Sequence, residues 1–423
     1  MASPLIKISI AATVLLAILF QIYLKEAVWL GFGINRTLQP LSEFPYRCRK
    51  IVHHQLEACE DMYLSHSTRQ LFLACSDPIA RKQWQPNVGY RNISGRSQRD
   101  AMVAVDIDKP IDNGFTFRVL KTPDFEGTAG DGLINLAGFS GIEQKNGDID
   151  LFLVNLQPSI DADGNLADQH VHGGNATIEH FVTGPRATKM KHVRTYAHHG
   201  ITTPNRVAAL SDKSFYISND HGSHKIGWRH HLSMILGFSD VTFCDTQNCR
   251  PVASNLQLPN GLAIRDNILY LPDSITGRLY IYRILPNKDL EKLDEVNLGY
   301  GVDNASIDEN GDIWIAAFPI GVEIFKAYDD PYNAHPPSAV LRVRKIEGEY
   351  VVEKMLEDAE GEVLPAATTV VHDAKTGRLF LSISTQFHST YVQPLPIIPI
   401  ADSFDSTEMT IILLLPPLTS NTR

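Results

Sequence analysis

Positive charge is in short supply. The chain has 38 Lys+Arg against 48 Asp+Glu, a formal charge of −10, so it has little with which to displace counterions, and nucleic acid is not an expected partner. Charged residues are only 20% and apolar residues 43%, which marks a globular chain rather than a disordered one. Cysteine is scarce and odd in number (Cys48, Cys59, Cys75, Cys244 and Cys249), and this excludes a disulfide framework. Cys244 and Cys249 close a short loop that suits one local disulfide in an oxidising compartment, with no further ligands beside them at zinc spacing. Helical periodicity is almost missing from the interior. Walker, Rossmann and HExxH motifs are missing altogether, so nucleotide chemistry and zinc proteolysis have no footing.

Long apolar runs are also rare, and the main one is at the start. Residues 8–24, ISIAATVLLAILFQIYL, hold Gln21 as their one strongly polar member and sit between Lys7 and Lys25. A membrane span wants about 20 such residues. Beyond Glu26 the chain continues as apolar AVWLGFGI, with no small-x-small cleavage site. Residues 1–40 therefore read as an uncleaved signal anchor and stalk, a cleaved signal being the alternative. Either places the body in the secretory pathway, membrane-anchored on the lumenal or extracellular side, or secreted. Asn35, Asn92 and Asn175 each open a glycosylation tripeptide that suits this compartment. Residues 401–423, with IILLLPPL, read as an appended tail.

Between these ends the chain repeats itself. Segments beginning at Glu60, Ser140, Asn205, Asn260, Asp303 and Thr368 share one plan: an alternating strand, a tight polar turn, then a strongly apolar strand. One such hairpin cannot bury its faces alone, whereas radial stacking leaves only short edges. A β-sandwich or two all-β domains would need a linker between repeats, and no Pro/Gly/Ser-rich linker occurs. The expected fold is all-β: a six-bladed β-propeller of four-stranded blades over residues 41–400, preceded by a hydrophobic helix.

In a propeller, equivalent positions of different blades meet at the axis. Here they read Glu60, Ser140, Asn205, Asn260, Asp303 and Asn304, all oxygen donors. Hard oxygen ligands with two formal negatives, from Glu60 and Asp303, suit Ca²⁺. Asn and Asp also favour turns on their own account, but a matched set from several repeats points to a metal.

These stretches carry a family likeness. Glu60-Asp61, LFLVN (151–155), FYISNDH (215–221), LPNGLAI (258–264), VDNASIDENGDIWIA (302–316) and TQFHS (385–389) resemble the serum paraoxonase/arylesterase family in order and spacing. That resemblance implies a six-bladed propeller, calcium-dependent lactonase and aryl-esterase activity, two calcium ions in the tunnel and an uncleaved hydrophobic N-terminus. It maps the catalytic-calcium ligands to Glu60, Asn205, Asn260, Asp303 and Asn304. Four departures accompany it. The imidazoles of the family's dyad fall at Ser140 and Leu156, so both are missing. Of the structural-calcium ligands, Asp61 and the carbonyl of Ile142 match, while the second Asp is Arg206; the expectation is an Asp61–Arg206 ion pair in place of that ion, hence one calcium and not two. The family's closing disulfide would use Cys48, whose partner position near Gln393 is not Cys, leaving Cys48 free or paired locally, as with Cys75.

Other constellations are weaker. Gly138-Phe-Ser140-Gly141 fails the spacing of a nucleophile elbow, and Asp161–Asn165 (DADGN) fails that of an EF-hand. His170 and His172 would share a strand face without a third ligand. His221 matches a family position near the tunnel mouth. The expected function is calcium-dependent hydrolysis of lactones or aryl esters in a pocket that includes Ser140, Leu156 and Phe318, with Asp303 as base or nucleophile and His221 assisting. The rival is a non-catalytic, membrane-anchored, calcium-containing propeller that acts as a binding module. A strictosidine synthase-like propeller fits less well, since the calcium-type ligands are retained.

Overall fold

The computed structural model describes residues 4–112, 114–383, 389–394 and 410–414. The repeats fold into antiparallel sheets whose strand order follows chain order from the axis outward. Blade one is Asp61–Ser65, Gln70–Cys75, Ala101–Ile111 and Gly114–Leu120. Blade two is Leu136–Glu143, Ile149–Asn155, Thr177–Thr183 and Lys191–Tyr196. Blade three is Pro204–Ser211, Ser214–Asn219, Ser239–Cys244 and Cys249–Leu256. Blade four is Ala263–Arg265, Ile268–Asp273, Arg278–Ile284 and Leu290–Asn297. Blade five is Gly301–Ile307, Ile313–Phe318, Ser338–Ile346 and Glu349–Asp358.

The sequence pattern of each strand reports its distance from the axis. Second strands are covered on both faces by neighbouring blades, and Gln70–Cys75, Ile149–Asn155 and Ile313–Phe318 are buried at every residue. Outer strands such as Leu290–Asn297 are mostly exposed and carry the charge. The core lies between blades: Phe152, Val154 and Ile178 of blade two pack on Val207, Phe215 and Ile217 of blade three.

The repeats predict six four-stranded blades, and the described residues form five. The last repeat supplies only two consecutive strands, Ala367–Asp373 and Arg378–Ile383. They join Tyr46–Ile51, Ser389–Pro394 and Thr410–Leu414 in a five-stranded sheet with mixed parallel and antiparallel pairing. This sheet packs on blade one through Val371 and Phe380, and on blade five through Val370 and Leu379 against Trp314 and Val340. Most of the TQFHS stretch, residues 385–389, and most of the tail lie outside the described residues.

Leu5–Gly31 is long and apolar enough to cross a membrane and buries none of its apolar window in the protein. Its end is tied to the propeller. Glu26 pairs with Arg278 at 2.6 Å, and the Arg36 guanidinium lies 3.7 Å above the Tyr300 ring. Cys244 and Cys249 are bonded to each other. Cys75 is bonded to Cys59 rather than Cys48, which stays a free thiol: Cys48 lies across from Val392 in the mixed sheet, while Cys59 stands beside Cys75 at the blade-one hairpin. Asn35 and Asn92 are exposed, but Asn175 is half-buried and its tripeptide partner Thr177 is fully buried.

Candidate active site

One local device places the axial residues. In blades two, three and five the innermost strand carries a bulge in which two residues oppose one: Ala137-Gly138, Asn205-Arg206 and Asp303-Asn304. In blades one and four the matching pairs, Glu60-Asp61 and Asn260-Gly261, stand at the entry to the ladder, where Glu60 N–H donates to Ala74 and Asn260 N–H to Pro272. A bulge turns both side chains toward the axis, one above the other. The first members, Glu60, Ala137, Asn205, Asn260 and Asp303, line an upper pocket of about 360 Å³. The second members pack beneath it as a plug.

The plug is an ion pair. Arg206 Nε donates to Asp61 Oδ2 at 2.7 Å and to the Phe139 carbonyl at 3.3 Å, and its Nη1 donates to the Ala305 carbonyl. Asp61 also accepts from the backbone N–H of Met62 and of Phe139, each at 2.8 Å. Gly138 and Gly261 make room: a Cβ on Gly138 would fall 2.7 Å from Arg206 Cγ, and one on Gly261 1.9 Å from Asn304 Oδ1. Among the described residues Ile142 makes no hydrogen bond to this pair; the blade-two carbonyl at Arg206 is that of Phe139, three residues earlier on the strand.

Ser140 is likewise out of place. The blade-two member of the ring is Ala137, and Ser140 faces the opposite end of the tunnel, where its Oγ accepts from Ala209 N–H at 2.9 Å. The equivalent position in this blade is an alanine, so the first polar side chain of the strand lies three residues beyond the ring. Leu156 and Phe318 do line the upper pocket, as does His221. His170 and His172 lie on an exposed helical turn, Gln169–His172, rather than a strand.

The ring is short of positive charge. Asp303 is pushed well above the usual carboxylate range by burial and then by the nearby Glu60 and Asp61 carboxylates. Arg81 Nη1 lies 3.5 Å from Glu60 Oε2. Asn260 donates to Ser274 at 3.0 Å and Asn304 to Thr369 at 2.9 Å, yet the Oδ1 of each is buried with no hydrogen-bond partner among the described residues. Two buried carboxylates beside two orphaned amide oxygens are a hard-oxygen donor set that fits Ca²⁺. Among the described residues no three His, Cys, Asp or Glu side chains cluster as a metal site; this ring mixes carboxylates with amides.

Above the ring His221, expected from the sequence, has an imidazole partner that the sequence does not announce. His221 Nδ1 is 2.8 Å from Asp220 Oδ1, and its ring stacks on His230 at 4.3 Å. His230 Nδ1 is 2.8 Å from the His224 carbonyl. In a neutral ring such acceptors hold the proton on Nδ1 and leave Nε2 to accept. Burial, and next the neighbouring His221, lower His230 to about 4. The pairing joins a strand end to the helix Gly227–Leu236, and no local motif announces it. Ala27, Leu30 and Gly31 of the apolar N-terminal helix also line this pocket, with Phe325.

Residues 161–393 match the family model for arylesterases. The chain is 29% identical over 263 residues to serum paraoxonase/arylesterase 2 of Gallus gallus, covering 61% of this chain and 68% of that protein. It is 29% identical over 220 residues to serum paraoxonase/arylesterase 1 of Mus musculus, covering 51% of this chain and 59% of that protein. Among solved structures, one provisionally named a gluconolactonase aligns with a TM-score of 0.45 at 13% identity, over 84% of this chain and 93% of its own. The family match spans Asn205, Arg206, His221, Asn260, Asp303 and Asn304 and leaves Glu60 outside it.

Proposed function

The chain belongs to the arylesterase family, and we propose that its upper pocket hydrolyses small lactones or aryl esters with one bound Ca²⁺. The main support is the ring of oxygen donors that separate blades bring together, with the orphaned amide oxygens of Asn260 in the ring and of Asn304 beneath it. Glu60, Asn205, Asn260, Asp303 and Asn304 would hold the ion. When bound it supplies a Lewis acid that polarises a carbonyl oxygen.

The chain's own residues supply the rest. Leu156, Phe318 and Phe325 offer apolar wall to the acyl or aryl part and exclude water. His221, oriented by Asp220, presents Nε2 to take a proton from the attacking water. Asp303, the base favoured from sequence, is better employed in the ring, where its lone pairs meet the cation. His221 thus takes over as the imidazole of a pocket in which the blade-two positions are Ala137 and Leu156. Arg206 supplies the charge of a second ion, so one calcium is the expected content.

The same reading takes the mixed sheet as the sixth blade, and Leu5–Gly31 as a membrane anchor in the secretory pathway with the pocket mouth beside it. A panel of lactones and aryl esters, assayed with and without Ca²⁺, tests the proposal. Turnover lost in EDTA and restored by Ca²⁺ supports it. A stable, calcium-dependent fold that turns over none of the panel supports the binding-module alternative instead.

A further inference from the structure

Below the Asp61–Arg206 plug the tunnel opens into a second cavity of about 550 Å³, lined by Tyr63, Ser140, Arg206, Arg265, Asp308 and His372 among others. This is within the size range of small-molecule sites. We propose that this lower funnel binds a small organic carboxylate, held by Arg206, Tyr63 and Ser140. The proposal does not depend on the hydrolase reading of the upper pocket.

A count of hydrogen-bonding groups supports it. The buried acidic group of the funnel, Asp308, is already satisfied, and Glu309 is half exposed. Asp308 accepts from the N–H of Asn310 at 2.9 Å and of Asp312 at 3.0 Å, from Trp314 Nε1 at 2.9 Å, and lies 2.6 Å from His372 Nδ1. Glu309 is turned to His66, 3.5 Å away. Arg265 is occupied by the carbonyls of Asp308 and Glu309 and lies 3.4 Å from the Asp266 carboxylate.

Donors, in contrast, are left over. Arg206 is only 5% exposed, and its Nε and Nη1 are committed to the plug, while Nη2 has no hydrogen-bond partner among the described residues. Nη2 is not sealed off from solvent, and the cavity that Arg206 lines is this one. The Tyr63 hydroxyl has no partner among the described residues either. Ser140 Oγ accepts from Ala209 but finds no acceptor there for its own hydrogen.

These three groups line the same funnel. Phe139, whose carbonyl takes a bond from Arg206, directly precedes Ser140, and a Cβ on Gly141 would meet the Tyr63 ring at 2.4 Å. A guanidinium N–H and two hydroxyls without acceptors call for an acceptor-only ligand, and a carboxylate is one. The remaining walls, such as Leu262, Ile264 and Ile307, are apolar and suit its organic part.

Benzoate is the test probe and benzamide its uncharged counterpart, titrated into the full chain in detergent by calorimetry, with and without EGTA. Benzoate is expected to bind at millimolar concentration or below and to be unaffected by EGTA. Benzamide should bind at least tenfold more weakly. Tyr63→Phe and Ser140→Ala should each weaken benzoate roughly 5- to 10-fold, the worth of one hydrogen bond to a charged group. Ala209→Phe, which fills the funnel, should abolish binding. No benzoate binding, equal binding of benzamide, loss of binding in EGTA, or full affinity in the Tyr63 and Ser140 variants overturns the proposal. The last outcome decides even if the Ala209 variant fails to fold.

Discussion

His221 and His230 stack on each other in the wall of the upper pocket, and their environments separate their duties. His221 has a carboxylate on Nδ1, whereas His230 has only a carbonyl and a second imidazole. His221→Gln should lower kcat by about 10²–10⁴ with KM little changed, the usual loss for a general base; an unchanged kcat in steady-state assays removes it from the mechanism. His230 answers a different question. Its folded pKa of about 4 lies below the ordinary value of 6.5, so between those values the unfolded state binds more protons. Its contribution to stability is present above pH 6.5 and is lost as pH falls toward 4. His230→Asn should flatten the decline of Tm across that window, read by thermal unfolding at stepped pH. Arg206→Met should cost about 3–5 kcal/mol in urea unfolding, because it leaves Asp61 buried and uncompensated. At this scale the ring residues are legible: Glu60, Asn205, Asn260 and Asp303 all stand where a polar residue opens a repeat. Ala137 is not, since nothing about an alanine marks an axial position, and Ser140 stands close by as a polar decoy. Arg81 and His230 reach the site from segments whose sequences carry no motif.

At the scale of the strand, the axial bulge makes the site. Two residues opposing one turn a side chain up into the pocket and the next down into the plug, where an unbroken strand would alternate them between the two faces of the blade. The plug in turn needs glycine on the facing strands. Gly261→Ala would put a methyl against Asn304, at 1.9 Å from its Oδ1 and 2.6 Å from its Cα. Backbone cannot retreat as a flexible side chain can, so a loss of about 1–3 kcal/mol or more is expected by chemical denaturation. Neighbouring Ala263, at the start of the innermost strand of blade four, is not pressed in this way. Strand positions are well marked in the sequence, because second strands are apolar at almost every residue and outer strands polar. The bulges are not: a one-residue register slip leaves no trace in hydrophobic alternation once both faces are buried.

For the whole molecule, a cation in the proposed ring would hold blades together as well as complete a site. Glu60 comes from blade one, Asn205 from blade three, Asn260 from blade four and Asp303 from blade five. A cation bound only by the folded ring stabilises it by mass action, about 2.7 kcal/mol at a hundredfold excess over Kd. EGTA should therefore lower Tm by several degrees, and elemental analysis should return one calcium per chain; two would remove the role given to Arg206. The N-terminal segment also belongs to this scale. Ala27, Leu30 and Gly31 form part of the pocket wall, so deletion of residues 1–31 should raise KM for apolar esters more than for polar ones.

The sequence by itself determined the class of fold, the repeat, the oxygen-rich axis and the arginine that stands against Asp61, because each is written in local pattern or in single residues at matched positions. Only the tertiary structure decided which blade-two residue joins the ring, that the tunnel is divided into two cavities, that Cys59 rather than Cys48 meets Cys75, and that His230 covers His221. Those outcomes depend on register and on contacts between distant segments. They are set by which side chains fit together across the axis, and periodicity along the chain carries no record of that fit.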